Sequence, residues 1–151
     1  LLTGAVRDNI LLYRNCDDHM FGEAYNAAHV NIDSGRIVSD GGTNISSGER
    51  RRIEIARSLL AATPIIIFDE VVSTLDVETA FEIEQMVLQY SNTIVFISHN
   101  FSGKLIHAYD EILIMDGGKL IAHGKYNDLL ANCEYFRRIC QIKFGNAFDE
   151  V

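Results

Sequence analysis

The segment Ile65-Ile66-Ile67-Phe68-Asp69-Glu70 constrains this chain more than any other stretch. Four apolar residues run directly into two adjacent carboxylates, and the turn Ser73-Thr74-Leu75-Asp76 comes shortly after. A short apolar run closed by acids predicts a strand buried on both faces that emerges at a site. Side chains alternate along an extended backbone, so Asp69 and Glu70 are expected on opposite faces, unable to grip one cation from the same side. One then holds a cation while the other faces a water or a substrate oxygen, which suits magnesium-assisted phosphoryl chemistry. Taken alone, the segment leaves a second reading open, that of a core strand with a solvated acidic end.

A chain of 151 residues is long enough for one domain with a core of its own. Its formal net charge of −8 argues against a nucleic-acid-binding surface. Cys16, Cys133 and Cys140 are odd in number and nothing resembles a secretory leader, so a reducing, cytosolic environment is expected. No apolar stretch approaches the roughly 18 residues of a membrane span, so any membrane role is expected to come from other polypeptide. Leu1 is not an initiator methionine, and the expectation is a piece of a longer protein.

Residues 1–62 read as a mainly helical subdomain. Asp17-Asp18 can cap a helix with Met20, Phe21, Ala24, Ala27 and Ala28 on one face. The polar stretch from Asn31 to Gly42 reads as loop, and Ile53, Ile55, Ala56, Leu59 and Leu60 recur at helical spacing between Glu49 and Leu60. Residues 63–145 then alternate strand and helix: Ile65–Phe68, a helix from Val77 to Tyr90 capped by Asp76, and a second strand over 93–98. The helix is expected to turn Val77, Ala80, Phe81, Val87 and Leu88 inward. A hairpin about Asp116-Gly117-Gly118-Lys119 comes next, then two short helices, and residues 146–151 form a tail. The fold class is therefore α/β, a parallel core with an added hairpin.

Two further groups bear on chemistry. Asn44-Ile45-Ser46-Ser47-Gly48-Glu49 precedes a helix, where unsatisfied N–H groups and small residues suit an anion, although a plain serine cap is the simpler reading. Arg50-Arg51-Arg52 lie in the first turn, where the helix dipole disfavours cations, so a bound anion or an acidic partner is expected beside them. His99 closes the second strand and should lie near the Asp69-Glu70 end of a parallel sheet, where such folds bind ligands; a purely structural histidine is the alternative.

In their order these pieces resemble the nucleotide-binding domain of ABC ATPases. Residues 44–50 look like the signature motif, 65–70 like Walker B, 73–76 like the D-loop and Ile97-Ser98-His99 like the switch histidine. The segment from Thr3 to Ile10 resembles the stretch just after the Q-loop in exporter-type members. Ile114 to Leu120, His123-Gly124 and 128–130 resemble the exporter-type C-terminus. The resemblance implies a partial P-loop NTPase-like core carrying a helical subdomain. It further implies that Asp69 holds Mg chiefly through water, that Glu70 is the general base and that His99 contacts the γ-phosphate. Ser46, Ser47, Gly48 and Glu49 would meet ATP bound on an opposing domain of a head-to-tail dimer, and Asp76 would couple the two sites.

Ser47 stands where that family usually has glycine and Glu49 where it usually has glutamine, so lower affinity or turnover is expected. No G-x-x-x-x-G-K-[ST] occurs in the 151 residues, so the chain alone is expected to be inactive. The resemblance thus implies the C-terminal part of an ATP-hydrolysing domain at the cytoplasmic face of a membrane, serving the transmembrane domain of an exporter. A soluble ABC ATPase of DNA repair or translation and a silent interaction module are the alternatives. An exposed sheet edge beside residues 65–68 is expected to favour self-association.

Overall fold

A computed structural model describes residues 1–73 and 75–145, which fall into two compact units that divide after Asn100. Thr74 and the 146–151 tail lie outside the described residues.

The first unit opens with strand β1 (Gly4–Ala5) and helix α1 (Val6–Leu11), followed by α2 (Asp18–Ala27). The Asp17 carboxylate accepts the Met20 N–H at 2.7 Å and starts α2 as its sequence predicts. Phe21, Ala24 and Ala28 are buried, whereas Met20, expected on the same face, is exposed in the first turn. The stretch read as pure loop contains a two-residue strand, β2 (Ile37–Val38), antiparallel to β1. A pairing this short carries no periodic signal; the fully buried Val38 and the 3.0 Å bond from the Val6 N–H to the Arg36 carbonyl define it.

Helix α3 (Ser47–Leu60) packs against α1 and α2. Ile53, Ile55, Ala56 and Leu60 are buried in one cluster with Val6, Ile10 and Phe21, and with Ile66, Phe68, Ile83 and Val87 of the next two elements, while Ile94 and Phe96 of a third pack against it partly buried. Those elements are β3 (Ile65–Asp69), α4 (Val77–Val87) and β4 (Thr93–Ile97), with β3 and β4 parallel and Asp69 opposite Ile97. In α4 the buried stripe includes Ile83, Met86 and Val87; Val77, expected to face inward, is 87% exposed beside the cap.

β3 departs from the expectation of burial on both faces. Ile66 and Phe68 are buried, whereas Ile65 and Ile67 are 57% and 64% exposed. With Val95 and Ile97 of β4, also exposed, they form one apolar face that no described element covers. An all-apolar run carries no record of which face is covered, so the difference was not readable from composition.

In the second unit β5 (Ile112–Asp116) and β6 (Lys119–Gly124) form the predicted hairpin. Gly117 and Gly118 take φ of 52° and 75°, as a two-residue hairpin turn requires. Ile114 packs with Tyr126 and Leu129 of α5 (Tyr126–Asn132) and with Phe136 and Cys140 of α6 (Glu134–Phe144). All three cysteines are free thiols.

Candidate active site

β3 and β4 run parallel and end level with each other, so the residues just past both carboxyl ends are neighbours although 29 positions apart. At the end of β3 the chain turns sharply. The Glu70 N–H still joins the ladder, donating to the Ile97 carbonyl at 2.9 Å, but Glu70 takes φ of 50°. The strict alternation expected for Asp69 and Glu70 therefore stops at Asp69, because Glu70 is in the left-handed region rather than extended. For a non-glycine residue that conformation costs on the order of 1 kcal/mol and persists where neighbouring bonds over-determine it.

The turn brings the Glu70 carboxylate to His99. Its Oε1 accepts the His99 backbone N–H at 3.0 Å and lies 2.7 Å from His99 Nδ1. The His99 side chain is 77% exposed and that of Glu70 35%, so the pair contributes at most about 1 kcal/mol to stability. Its main consequence is orientation. With Nδ1 on a carboxylate, Nε2 is the ring nitrogen that can meet a ligand. Asp69 ends β3 with an exposed carboxylate beside the pair. Ser73 adds two bonds to the Glu70 carbonyl, from its N–H at 3.2 Å and from its Oγ–H at 2.9 Å.

Among the described residues no cluster of three or more potential ligands forms a metal cage. Mg keeps several waters and takes one or two carboxylates together with substrate phosphates. A single exposed carboxylate, Asp69, is such a donor.

The second group lies at the start of α3. Ser46 is the N-cap: its Oγ accepts the Glu49 N–H at 3.1 Å, and Glu49 Oε2 accepts the Ser46 N–H at 2.7 Å. This reciprocal capping box gives Glu49 a structural reason to be acidic. Ser47 has no positive φ, so its Cβ imposes no backbone strain. Gly48 is the position where space is short, because a Cβ there would lie 3.1 Å from Thr79 Cγ2. Thr79 is in the first turn of α4, whose N-cap Asp76 accepts the Thr79 N–H at 3.0 Å. That bond and the one from the Thr79 side chain hold the Asp76 carboxyl below its usual range.

The three arginines find partners within the chain, and for two of them the partner is acidic, one of the two expected outcomes. Arg50 donates to the Gly42 carbonyl at 3.0 Å, Arg51 pairs with Glu54 at 2.7 Å, and Arg52 pairs with Glu82. Arg52 is only 7% exposed. Its spacing from Ala56 and Leu60, four and eight residues on, places it on the buried stripe, a signal present in the sequence.

Two pairs of expected residues thus come together: Glu70 with His99, and Gly48 with the turn that Asp76 caps. The Gly48–Thr79 approach had no local signature, since it depends on how a second helix is placed, whereas the Ser73–Glu70 bonds span only three residues.

Comparison with known proteins shows the family. The ABC transporter family model matches residues 4–73. The ATP-dependent lipid A-core flippase of Vibrio cholerae serotype O1 is 38% identical over 111 residues, 72% of this chain and 19% of the flippase. The flippase of the same name from Syntrophus aciditrophicus is 33% identical over 95% of this chain and 25% of its own length. The lactococcin-G-processing and transport ATP-binding protein LagD of Lactococcus lactis is 34% identical over 85% of this chain and 18% of its own. A bacterial Atm1-family ABC exporter solved with ATP bound superposes with a TM-score of 0.80 at 25% identity, covering 95% of this chain and 27% of the exporter.

The fold is that of an ABC-type ATP-binding domain. The chain belongs to the ABC transporter family and corresponds to part of the ATP-binding domain of its exporters. It spans about a fifth to a quarter of the length of these curated relatives. Among the described residues no helix is long and apolar enough to cross a membrane.

Proposed function

We propose that this chain supplies the hydrolytic side of an ATP site in an exporter, converting ATP and water to ADP and phosphate to power transport. The observation that carries the reading is the contact of Glu70 with His99 just past the ends of two parallel strands, beside Asp69. Glu70 polarises the attacking water as general base. His99, held through Nδ1 by Glu70, presents Nε2 to the γ-phosphate and so registers whether nucleotide is in place. Asp69 would hold Mg, chiefly through water. When bound, that ion neutralises phosphate charge in the transition state.

Ser46, Ser47, Gly48 and Glu49 serve a nucleotide carried by a second ATP-binding domain packed head to tail. The N–H groups of Ser47 and Gly48 lie in the first turn of α3, where no intrahelical acceptor exists for them. Asp76, at the neighbouring helix start, links that contact to the Walker B turn. The phosphate-cradling motif is absent from these 151 residues, so hydrolysis requires that loop from further sequence. A transmembrane domain at the cytoplasmic face of the membrane would receive the resulting motion. The open apolar face and edge of β3 favour association of the chain with itself at high concentration. Sedimentation as a monomer there would refute that association.

The decisive experiment places residues 4–144 in the corresponding region of the Vibrio cholerae flippase. The chimera should hydrolyse ATP, and Glu70→Gln in it should still bind ATP without turnover. Unchanged hydrolysis in Glu70→Gln sinks Glu70 as the base.

A further inference from the structure

We propose that Ser73 is a positioning residue for Glu70: its hydroxyl clamps the Glu70 carbonyl and thereby holds the carboxylate against His99. The inference rests on the reading of Glu70 and His99 as the working pair, and adds the group that sets their geometry.

Glu70 is the residue at which β3 stops, and its two flanking peptide groups are pinned from different directions. On the N-terminal side its N–H is fixed to the Ile97 carbonyl of β4 at 2.9 Å. On the C-terminal side a φ of 50° has turned its carbonyl out of the ladder, where no strand can receive it. Ser73 receives it twice, through its N–H at 3.2 Å and its Oγ–H at 2.9 Å. With both peptide planes held, the direction of the Cα–Cβ bond is set. The carboxylate then reaches the His99 N–H and Nδ1 together on one oxygen.

A residue in a left-handed conformation reverts toward extended backbone when the bonds around it weaken. Reversion would swing the Glu70 side chain to another direction and break both contacts with His99. The hydroxyl makes the shorter of the two bonds to that carbonyl, so it is the stronger restraint.

Solvent exposure separates this role from a packing role. Val71 and Val72 in the same turn are buried and hold it to the core, whereas Ser73 is exposed. An exposed hydroxyl has water available and needs no intramolecular acceptor for stability. Its use on the Glu70 carbonyl therefore matters for geometry, in the manner of serine turns that compete with regular backbone bonding.

The test uses the 151-residue chain with 15N-labelled histidine, reading the His99 Nδ1 resonance at fixed pH, and the flippase chimera for turnover. Glu70→Gln should displace the Nδ1 signal, and Ser73→Ala should displace it in the same direction by less. Ser73→Thr should restore the native position, while Ser73→Val, matched to threonine in shape, should not. In the chimera Ser73→Ala and Ser73→Val should lower kcat roughly tenfold with KM unchanged, and Ser73→Thr should recover it. If Glu70→Gln displaces the signal and neither Ala nor Val at position 73 does, the role of Ser73 is overturned while the pair stands. If Glu70→Gln leaves the signal in place, the pair is not formed in solution and both readings fall.

Discussion

The end of β3 and the start of α3, both given to a phosphate in the proposed function, arrange their polar groups in opposite ways. At β3 the key contact joins Glu70 to His99 across 29 residues and leaves an exposed imidazole and the exposed Asp69 carboxylate beside it. At α3 the charged and hydroxyl groups are already engaged locally, Ser46 with Glu49 across three positions and Asp76 with Thr79 at the neighbouring helix. The first region is an assembly of side chains that can act on a substrate. The second is a pair of well-capped helix ends, where backbone N–H groups rather than side chains remain for a ligand. The β3 end thus depends on long-range register and the α3 end on local capping.

Four measurements press on that contrast. Glu70→Gln in the chimera should reduce turnover at least about a hundredfold while changing stability by less than about 1 kcal/mol. A large loss of stability would mean that the β3 region is scaffold after all. Ile53→Ala, beneath the start of α3 and fully buried, should lower unfolding free energy by about 2–4 kcal/mol in urea. A loss below that range would show α3 able to collapse onto the gap, and its capped end to be less firmly seated.

Ser46→Ala removes the capping box and should cost about 1 kcal/mol in the same assay, with the His99 Nδ1 resonance unmoved. Movement of that resonance would couple the two regions and break the contrast. The smallest effect concerns Asp76, whose carboxyl is held below its usual range by Thr79. A depressed folded pKa gives stability that is complete above the unfolded value near 3.8 and is lost as pH falls through the lower folded value. Asp76→Asn should therefore differ from wild type by a constant amount above about pH 4 and converge on it below, in urea midpoints taken against pH.

Much of this was legible along the chain. The caps Asp17, Ser46 and Asp76 stand where their helices begin, because a cap acts within three residues and leaves its mark in spacing alone. The Gly117-Gly118 turn was readable for the same reason. The effects of remote neighbours could not be read. Ile65 and Ile67 look identical to Ile66 in composition, yet only Ile66 meets a covered face. Arg50, Arg51 and Arg52 read as cations beside a bound anion or an acidic partner, and which acceptor each reaches, the Gly42 carbonyl, Glu54 or Glu82, depends on the fold.

Along the chain alone one reads the main helices and strands in their order, though not β1 and β2, the carboxylates of Asp69 and Glu70 at a strand end, and a histidine at the end of the next strand. Those come from local periodicity and from turn chemistry, which operate over a few residues. Only the tertiary structure decided that Glu70 leaves the strand in a left-handed turn, that Ser73 holds it there, and that its carboxylate meets His99. The meeting with His99 depends on the parallel register of β3 with β4, set by packing between segments far apart in the chain.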